Sequence, residues 1–405
     1  MAIFDSANPL LETTILFKKM KGMFNTQAIK HAIVGFQTKS KNNMKKGMDM
    51  PVTMKAAVWE GRLNINVKEV AAPPSPQPGW VNIKVEWCGI CGSDLHEYLA
   101  GPVFIPTGEP HPRTGIQDQC ILGHEFSGSI VSVGEGVENI SLGDRVTASA
   151  CQHCGECLYC KEGHPNLCET VAFTGLMNHG GFANFVTVPA NVVYKIPENV
   201  SFESASLVEP LSVGMHAVKK AGDLKGKTVA VLGAGTIGLC TIMCARALGA
   251  EKIIAVEVSK ERKNKALELG ANIIVDPKEG DAIEQVKKHT GGYGASVTFE
   301  CIGHKDTAKL AIDLTRKAGK VIMVGIFEEP SSYNFFEVVA TEKEIIGSLA
   351  YQNEFEDVIK MISDGLLETN SLVTGKISID DIINMGFEEL VNNKDSNIKI
   401  LVSPN

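Results

Sequence analysis

The sequence predicts an α/β chain built as two domains, a mostly β half followed by a doubly wound parallel sheet. Three observations carry that reading. The first is size: 405 residues, 44% hydrophobic and 21% charged, suffice for a large buried core and exceed one ordinary domain. The second is the stretch from Met54 to about residue 200. There, short β-rich segments such as Lys55–Trp59, Val81–Glu86 and Ser129–Val133 are separated by proline and glycine. The third is the alternation that follows, with strand-like Thr228–Leu232, Lys252–Val256 and Lys320–Val324 interleaved with helix-like Thr236–Leu248 and Lys260–Leu269. Beyond residue 350 come a helix-like Glu354–Asp364 and a strand-like Ile398–Val402.

Charge excludes one class of partner. The formal net charge of −8 is incompatible with the broad basic surface that non-specific nucleic-acid binding requires, so no nucleic acid is expected. Residues 1–53 differ from the rest, carrying eight lysines, no arginine and only Asp5, Glu12 and Asp49 as acids. They read as an N-terminal extension outside the folded domains, disordered or not native to the mature chain. The functional alternative is a presequence or a membrane-surface arm. The extension lacks the pattern of a secretory signal, so the 11 cysteines read as cytosolic thiols or metal ligands and the expected location is the cytoplasm. Thr228–Ala245 is an uncharged run of 18 residues, just long enough for a membrane span, but it contains three glycines in a strand–turn–helix order. No membrane partner is expected.

That order is the main functional signal of the second half. Lys227–Leu232 runs into Gly233-Ala-Gly235-Thr236-Ile237-Gly238 and then into a helix. Glycines let the backbone approach a pyrophosphate, and the helix N-terminus offers free N–H groups to it. Glu257 ends the next strand, where a carboxylate binds ribose hydroxyls and repels a 2′-phosphate, so NAD is expected over NADP. Lys260 and Arg262 lie close enough to soften that repulsion. Phe299–Gly303 and Val324–Phe327 end later strands, which places Cys301, Val324 and Ile326 beside the nicotinamide.

Two groups of metal-binding residues stand in the first half. Cys154, Cys157, Cys160 and Cys168 are close enough in sequence to close a tetrahedral structural zinc site. An iron–sulfur cluster or simple buried thiols are the alternatives, and Cys168 lacks the proline that follows the last cysteine of a ferredoxin run. The second group is dispersed: Cys91, His124, Glu125 and Glu209. Spacing alone does not join these, and any one of them taken singly reads as an ordinary surface or hydrogen-bonded residue.

At these residues the chain resembles the zinc-dependent medium-chain alcohol/polyol dehydrogenases. Gly123-His-Glu-Phe-Ser-Gly128 with Gly134 and Val137 is similar to that family's zinc signature, and the four-cysteine lobe and the glycine fingerprint follow in the family's order. The resemblance spans about 54–405. It implies a GroES-like catalytic domain over 54–208, a Rossmann coenzyme domain over 209–349 and a C-terminal return over 350–405. It also implies Cys91 and His124 as ligands of a catalytic zinc, with Glu125 and Glu209 binding directly or through water. Ser93 would hydrogen-bond the substrate oxygen and His96 would end a proton relay. Glu209 stands where alcohol dehydrogenases proper have cysteine, which resembles the polyol and butanediol branch. Sorbitol dehydrogenases place tyrosine directly after the relay histidine, whereas here Glu97 precedes Tyr98. With the insertion Gly101–Pro106 and His111-Pro112, this is similar to the butanediol branch, so the expected reaction interconverts 2,3-butanediol and acetoin. A sorbitol/polyol or L-threonine dehydrogenase, a zinc-free quinone reductase relative, and a non-catalytic NAD-binding protein are the alternatives. Members of the family imply a homodimer or homotetramer.

Overall fold

The alternating apolar residues near the start of the mostly β half make the strand Thr53–Gly61, which pairs antiparallel with Asn64–Ala71 and Cys120–Ile121. A computed structural model describes residues 51–405, and the expectation of a separate N-terminal extension falls largely outside that span. The main sheet of this half runs in the order 193–195, 145–148, 125–133, 80–89, 399–403, 373–378, and 185–189 also pairs with 80–89. Its last two members come from the end of the chain. Lys399–Ser403 returns antiparallel to Trp80–Gly89, with Leu401 opposite Gly89 and Val402 opposite Cys88. It also pairs in parallel with Val373–Ser378.

The second half is a six-stranded parallel sheet in the order 273–275, 252–256, 228–232, 295–300, 315–323, 344–347. The sheet grows in one direction from 228–232 and then in the other from 295–300. Ligands bind such sheets in the crevice where the order reverses. The expected elements appear here nearly residue for residue. One strand differs: the expected Lys320–Val324 covers only the last part of a longer strand, Thr315–Met323, and runs one residue past it, and the register shifts between Ala295 and Val297 of the neighbouring strand. The exposed lysine and the bend around Ala318, at φ +52°, hide its first half from any alternation rule.

Helix Val208–Ala221 buries one side against helix Thr236–Ala247 and another against helix Glu354–Ser363. Pro210 is in its first turn, where a missing N–H costs no helix bond. The apolar run Thr228–Ala245 is a buried strand, a glycine turn and a buried helix, and among the described residues no helix is long and apolar enough to cross a membrane.

Where strands 80–89 and 125–133 pair, an added Cβ on Gly128 would overlap the carbonyl oxygen of Lys84. Gly128→Ala is expected to destabilise the chain by about 1–3 kcal/mol, the cost of overpacking a rigid contact, seen as a lowered melting temperature. An unchanged melt would contradict this packing.

Candidate active site

Cys91 precedes helix Gly92–Ala100, and its backbone N–H donates to the Asp94 carboxylate at 2.9 Å. His124 and Glu125 open the strand Glu125–Val133. These two loci bring the ligand atoms of Cys91, His124 and Glu125 within 4.8 Å of one another. Ser93 Oγ lies 3.2 Å from His124 Nε2, and Asp94 Oδ1 lies 3.5 Å from His124 Nδ1. Both of those Asp94 and His124 atoms are buried without a hydrogen-bond partner. Burial alone would lower the pKa of His124, but the charges of Asp94 and Cys91 outweigh it and draw the pKa well above its ordinary value. The cluster thus demands positive charge. A sulfur, imidazole and carboxylate donor set suits zinc, which would replace the proton the imidazole otherwise attracts.

Glu125 is fully buried and both its oxygens accept from Lys399 Nζ, at 2.7 and 2.6 Å. Lys399, only 1% exposed, donates a further bond to Ile90 O at 2.8 Å. Burial opposes the lysine's charge, yet Glu125 and Cys91 raise its pKa above the ordinary range. Sequence reasoning passed over Lys399 and Asp94. The signal for Lys399 was there, as one cation inside the apolar strand Ile398–Val402. Glu209, in the first turn of helix Val208–Ala221, is buried and stands outside the three-residue group. Burial first, and then Glu125, push its pKa up to about 7 against the pull of His124 and Lys399, so it lies within the field of the cluster.

The four cysteines also come together, with all ligand atoms within 4.8 Å. Backbone N–H groups point at the sulfurs: Cys157 N to Cys154 Sγ at 3.2 Å, Cys154 N to Cys168 Sγ at 3.3 Å and Thr170 N to Cys168 Sγ at 3.4 Å. Burial alone would raise Cys157 and Cys168, but hydrogen bonds lower both. Donors that stabilise thiolates fit a four-sulfur metal site. The lobe has little apolar core, exposing Leu158, Tyr159 and Leu167, so a metal would supply most of its cohesion.

In the cofactor cleft, Gly235 caps helix Thr236–Ala247, and a Cβ on Gly238 would overlap Gly233 O. Ile237, in the first turn, accepts the Thr241 hydroxyl at 2.8 Å. Glu257 accepts the Ala234 N–H at 2.7 Å, and those of Val258 and Ser259 at 2.8 and 2.9 Å. Those bonds hold its carboxylate against the glycine turn. Arg262 donates to Lys394 O and approaches the same turn, while its Nε is buried without a partner. Cys301 N donates to Leu232 O at 3.0 Å and Val324 N to Glu300 O at 2.9 Å, which sets the two later strand ends beside the fingerprint. Ile302 and Ile326 keep 50% and 46% exposure there, an apolar lining that a planar ring can cover.

Lys399→Met would strand the Glu125 charge in the interior. A loss of about 3–5 kcal/mol, the cost of breaking a buried pair, is expected by chemical denaturation, together with a lower zinc content. Unchanged stability and zinc would contradict the pairing.

Known proteins share this arrangement. Residues 77–198 match the alcohol dehydrogenase GroES-like domain and 236–364 match the zinc-binding dehydrogenase domain. An (R,R)-butanediol dehydrogenase of Bacillus subtilis is 43% identical over 357 residues, covering 87% of this chain and 100% of the relative. The crystal structure of 2R,3R-butanediol dehydrogenase from Bacillus subtilis superposes with a TM-score of 0.81 at 41% identity, covering 87% of this chain and 100% of that one. A short chain alcohol dehydrogenase of Escherichia coli, complexed with NADH, superposes with a TM-score of 0.80 at 28% identity, covering 87% and 100%. The two-part fold, the metal-ligand cluster and the whole-length identity together make this chain a member of the zinc-binding dehydrogenase family, an oxidoreductase that interconverts alcohols and ketones.

Proposed function

We propose that the enzyme interconverts 2,3-butanediol and acetoin with NAD(H). The observation that carries this reading is the 43% identity to a butanediol dehydrogenase over that relative's full length. The local structure supports it. Glu97, fully buried, accepts the N–H groups of Val103 at 3.1 Å, of Ile105 at 2.9 Å and of Phe104, fixing the insertion that follows it. Polyol oxidation is the second reading, since Glu209 in place of a cysteine is shared by the polyol and butanediol members alike.

In this proposal Cys91 and His124 hold the catalytic zinc, with Glu125 or Glu209 completing the set, and Cys154, Cys157, Cys160 and Cys168 hold the structural one. Zinc, when bound, supplies a Lewis acid for the substrate oxygen, and the nicotinamide, when bound, supplies the hydride chemistry. The chain does the rest. Ser93 Oγ, beside His124, accepts the substrate's hydroxyl proton as it passes its own into a relay that ends at His96, one helical turn on, and at solvent. Gly233, Gly235, Thr236, Ile237 and Gly238 cradle the pyrophosphate, with Arg262 alongside. Glu257 receives the ribose hydroxyls and repels a 2′-phosphate. Cys301, Val324, Ile302 and Ile326 flank the ring and exclude water.

We further propose that the catalytic part spans 54–208, the coenzyme part 209–349 and the return 350–405, and that the enzyme is a cytoplasmic homo-oligomer. Strand Glu344–Gly347 ends the parallel sheet, and Phe335, Phe336 and Val339 of the helix before it are exposed, a face suited to a second copy.

The test is NADH oxidation by zinc-loaded protein with racemic acetoin and, separately, fructose. Acetoin is expected to turn over well above fructose and to give the R,R or meso diol on chiral analysis. Cys91→Ala is expected to abolish turnover while NADH still binds. A preference for fructose would overturn the butanediol reading, and full activity of Cys91→Ala would remove that residue from the site.

A further inference from the structure

We propose that Glu328 is the positioning residue of His96, forming a histidine–carboxylate pair across the cleft that sets which ring nitrogen is free to accept a proton. The inference rests on the reading of His96 as a proton conveyor given above. His96 belongs to helix Gly92–Ala100 of the first half, and Glu328 to the loop after strand Thr315–Met323 of the second. Their contact is His96 Nδ1 to Glu328 Oε1 at 2.9 Å.

An ion pair this exposed adds little to stability. Its consequence is chemical. A carboxylate on Nδ1 keeps the proton of the neutral ring on that nitrogen, which leaves the lone pair on Nε2.

The loop is built to present this carboxylate. Glu329 pairs with Lys305 Nζ at 2.8 Å, and Ser331 Oγ donates to Lys305 O at 2.8 Å, so the loop is anchored on helix Lys305–Leu314. Ile326, two residues earlier, lies on the cofactor side. Glu328 reaches His96, one helical turn beyond Ser93. The carboxylate itself is 68% exposed and the imidazole 33%, so the pair ends at bulk water.

The step is a proton transfer only. In alcohol oxidation an N–H bond forms at Nε2 as the donor's O–H bond breaks. Water then removes the proton and the neutral ring is restored. Reduction runs the same transfer backward. No oxidant beyond the coenzyme is needed.

The experiment compares zinc-loaded, full-length wild type with Glu328→Gln, Glu328→Ala and His96→Ala. It measures kcat and KM for butanediol oxidation, KM for NAD, and the response of kcat to added imidazole as an external proton acceptor. Glu328→Gln and Glu328→Ala are expected to lower kcat about tenfold, less than the roughly 10²-fold or greater loss expected for His96→Ala. KM for NAD should stay unchanged in the Glu328 variants, and imidazole should restore kcat in them and in His96→Ala. Wild-type kcat in both Glu328 variants, with activity lost in His96→Ala, would overturn the inference and leave the relay standing. Wild-type kcat in His96→Ala would overturn the relay itself. A loss in the Glu328 variants that imidazole cannot restore, or one confined to KM for NAD, would also overturn the inference.

Discussion

The buried pair between Glu125 and Lys399 is the interaction on which the rest of the site depends. Taking both charges out of water is costly, and the pair persists because Lys399 Nζ also reaches Ile90 O, leaving few of its donors unused. The pair joins the last strand of the chain to the strand that opens with the metal-binding residues. Immediately before it, Ile398 O accepts the Thr236 hydroxyl at 2.7 Å, at the start of the helix that follows the glycine fingerprint. Two consecutive residues of one returning segment therefore hold the cofactor turn on one side and the metal cluster on the other. A hydride can pass only over a short distance, so this tie is a functional constraint as much as a structural one.

The two cysteine-containing clusters differ in how they balance charge. Around Cys91 the negative groups converge in a buried space, and a lysine and a histidine already answer part of the demand. A metal held there by Cys91, His124 and Glu125 would complete the balance. Around Cys154 part of the balance comes from backbone N–H groups, which lower the thiols of Cys157 and Cys168 while burial holds Cys160 up, so a metal would be needed to gather four thiolates. The lobe is tied back to the second half, since Asn166 donates to Leu349 O at 2.8 Å and Gln352 Nε2 lies 2.8 Å from His164 Nδ1. Between those anchors, Tyr351 is buried and accepts the Ala150 N–H at 2.9 Å. The same segment thus borders both the lobe and the helix that carries Glu209.

What was legible in the sequence was what depends on neighbours along the chain. The glycine fingerprint, the strand before it, Glu257 after it and the four cysteines are local patterns, and each stands where its spacing places it. The dispersed set was legible only through family resemblance, because no spacing rule brings Cys91 to His124. Of that set, Cys91, His124 and Glu125 bring their ligand atoms within 4.8 Å of one another, and Glu209, on helix Val208–Ala221, lies within their electrostatic reach. Lys399, Asp94 and Glu328 were missed for a common reason. Each lies beside a residue distant in sequence, Glu125, His124 or His96, and a lone charged side chain has no periodicity to betray such a contact. The return segment was only coarsely legible as well. Its two strands join the first sheet, whereas helix Glu354–Ser363 packs against helix Val208–Ala221.

In the proposed mechanism the Cys91 site does chemistry and the four-cysteine site holds a loop. The direct measurement follows activity and zinc content together while a chelator slowly strips the native enzyme. Activity should vanish with loss of zinc from the Cys91 cluster while the four-cysteine zinc and the folded state persist, and it should return when zinc is restored. Activity that survives full removal of zinc, or that falls only as the protein unfolds, would contradict the account.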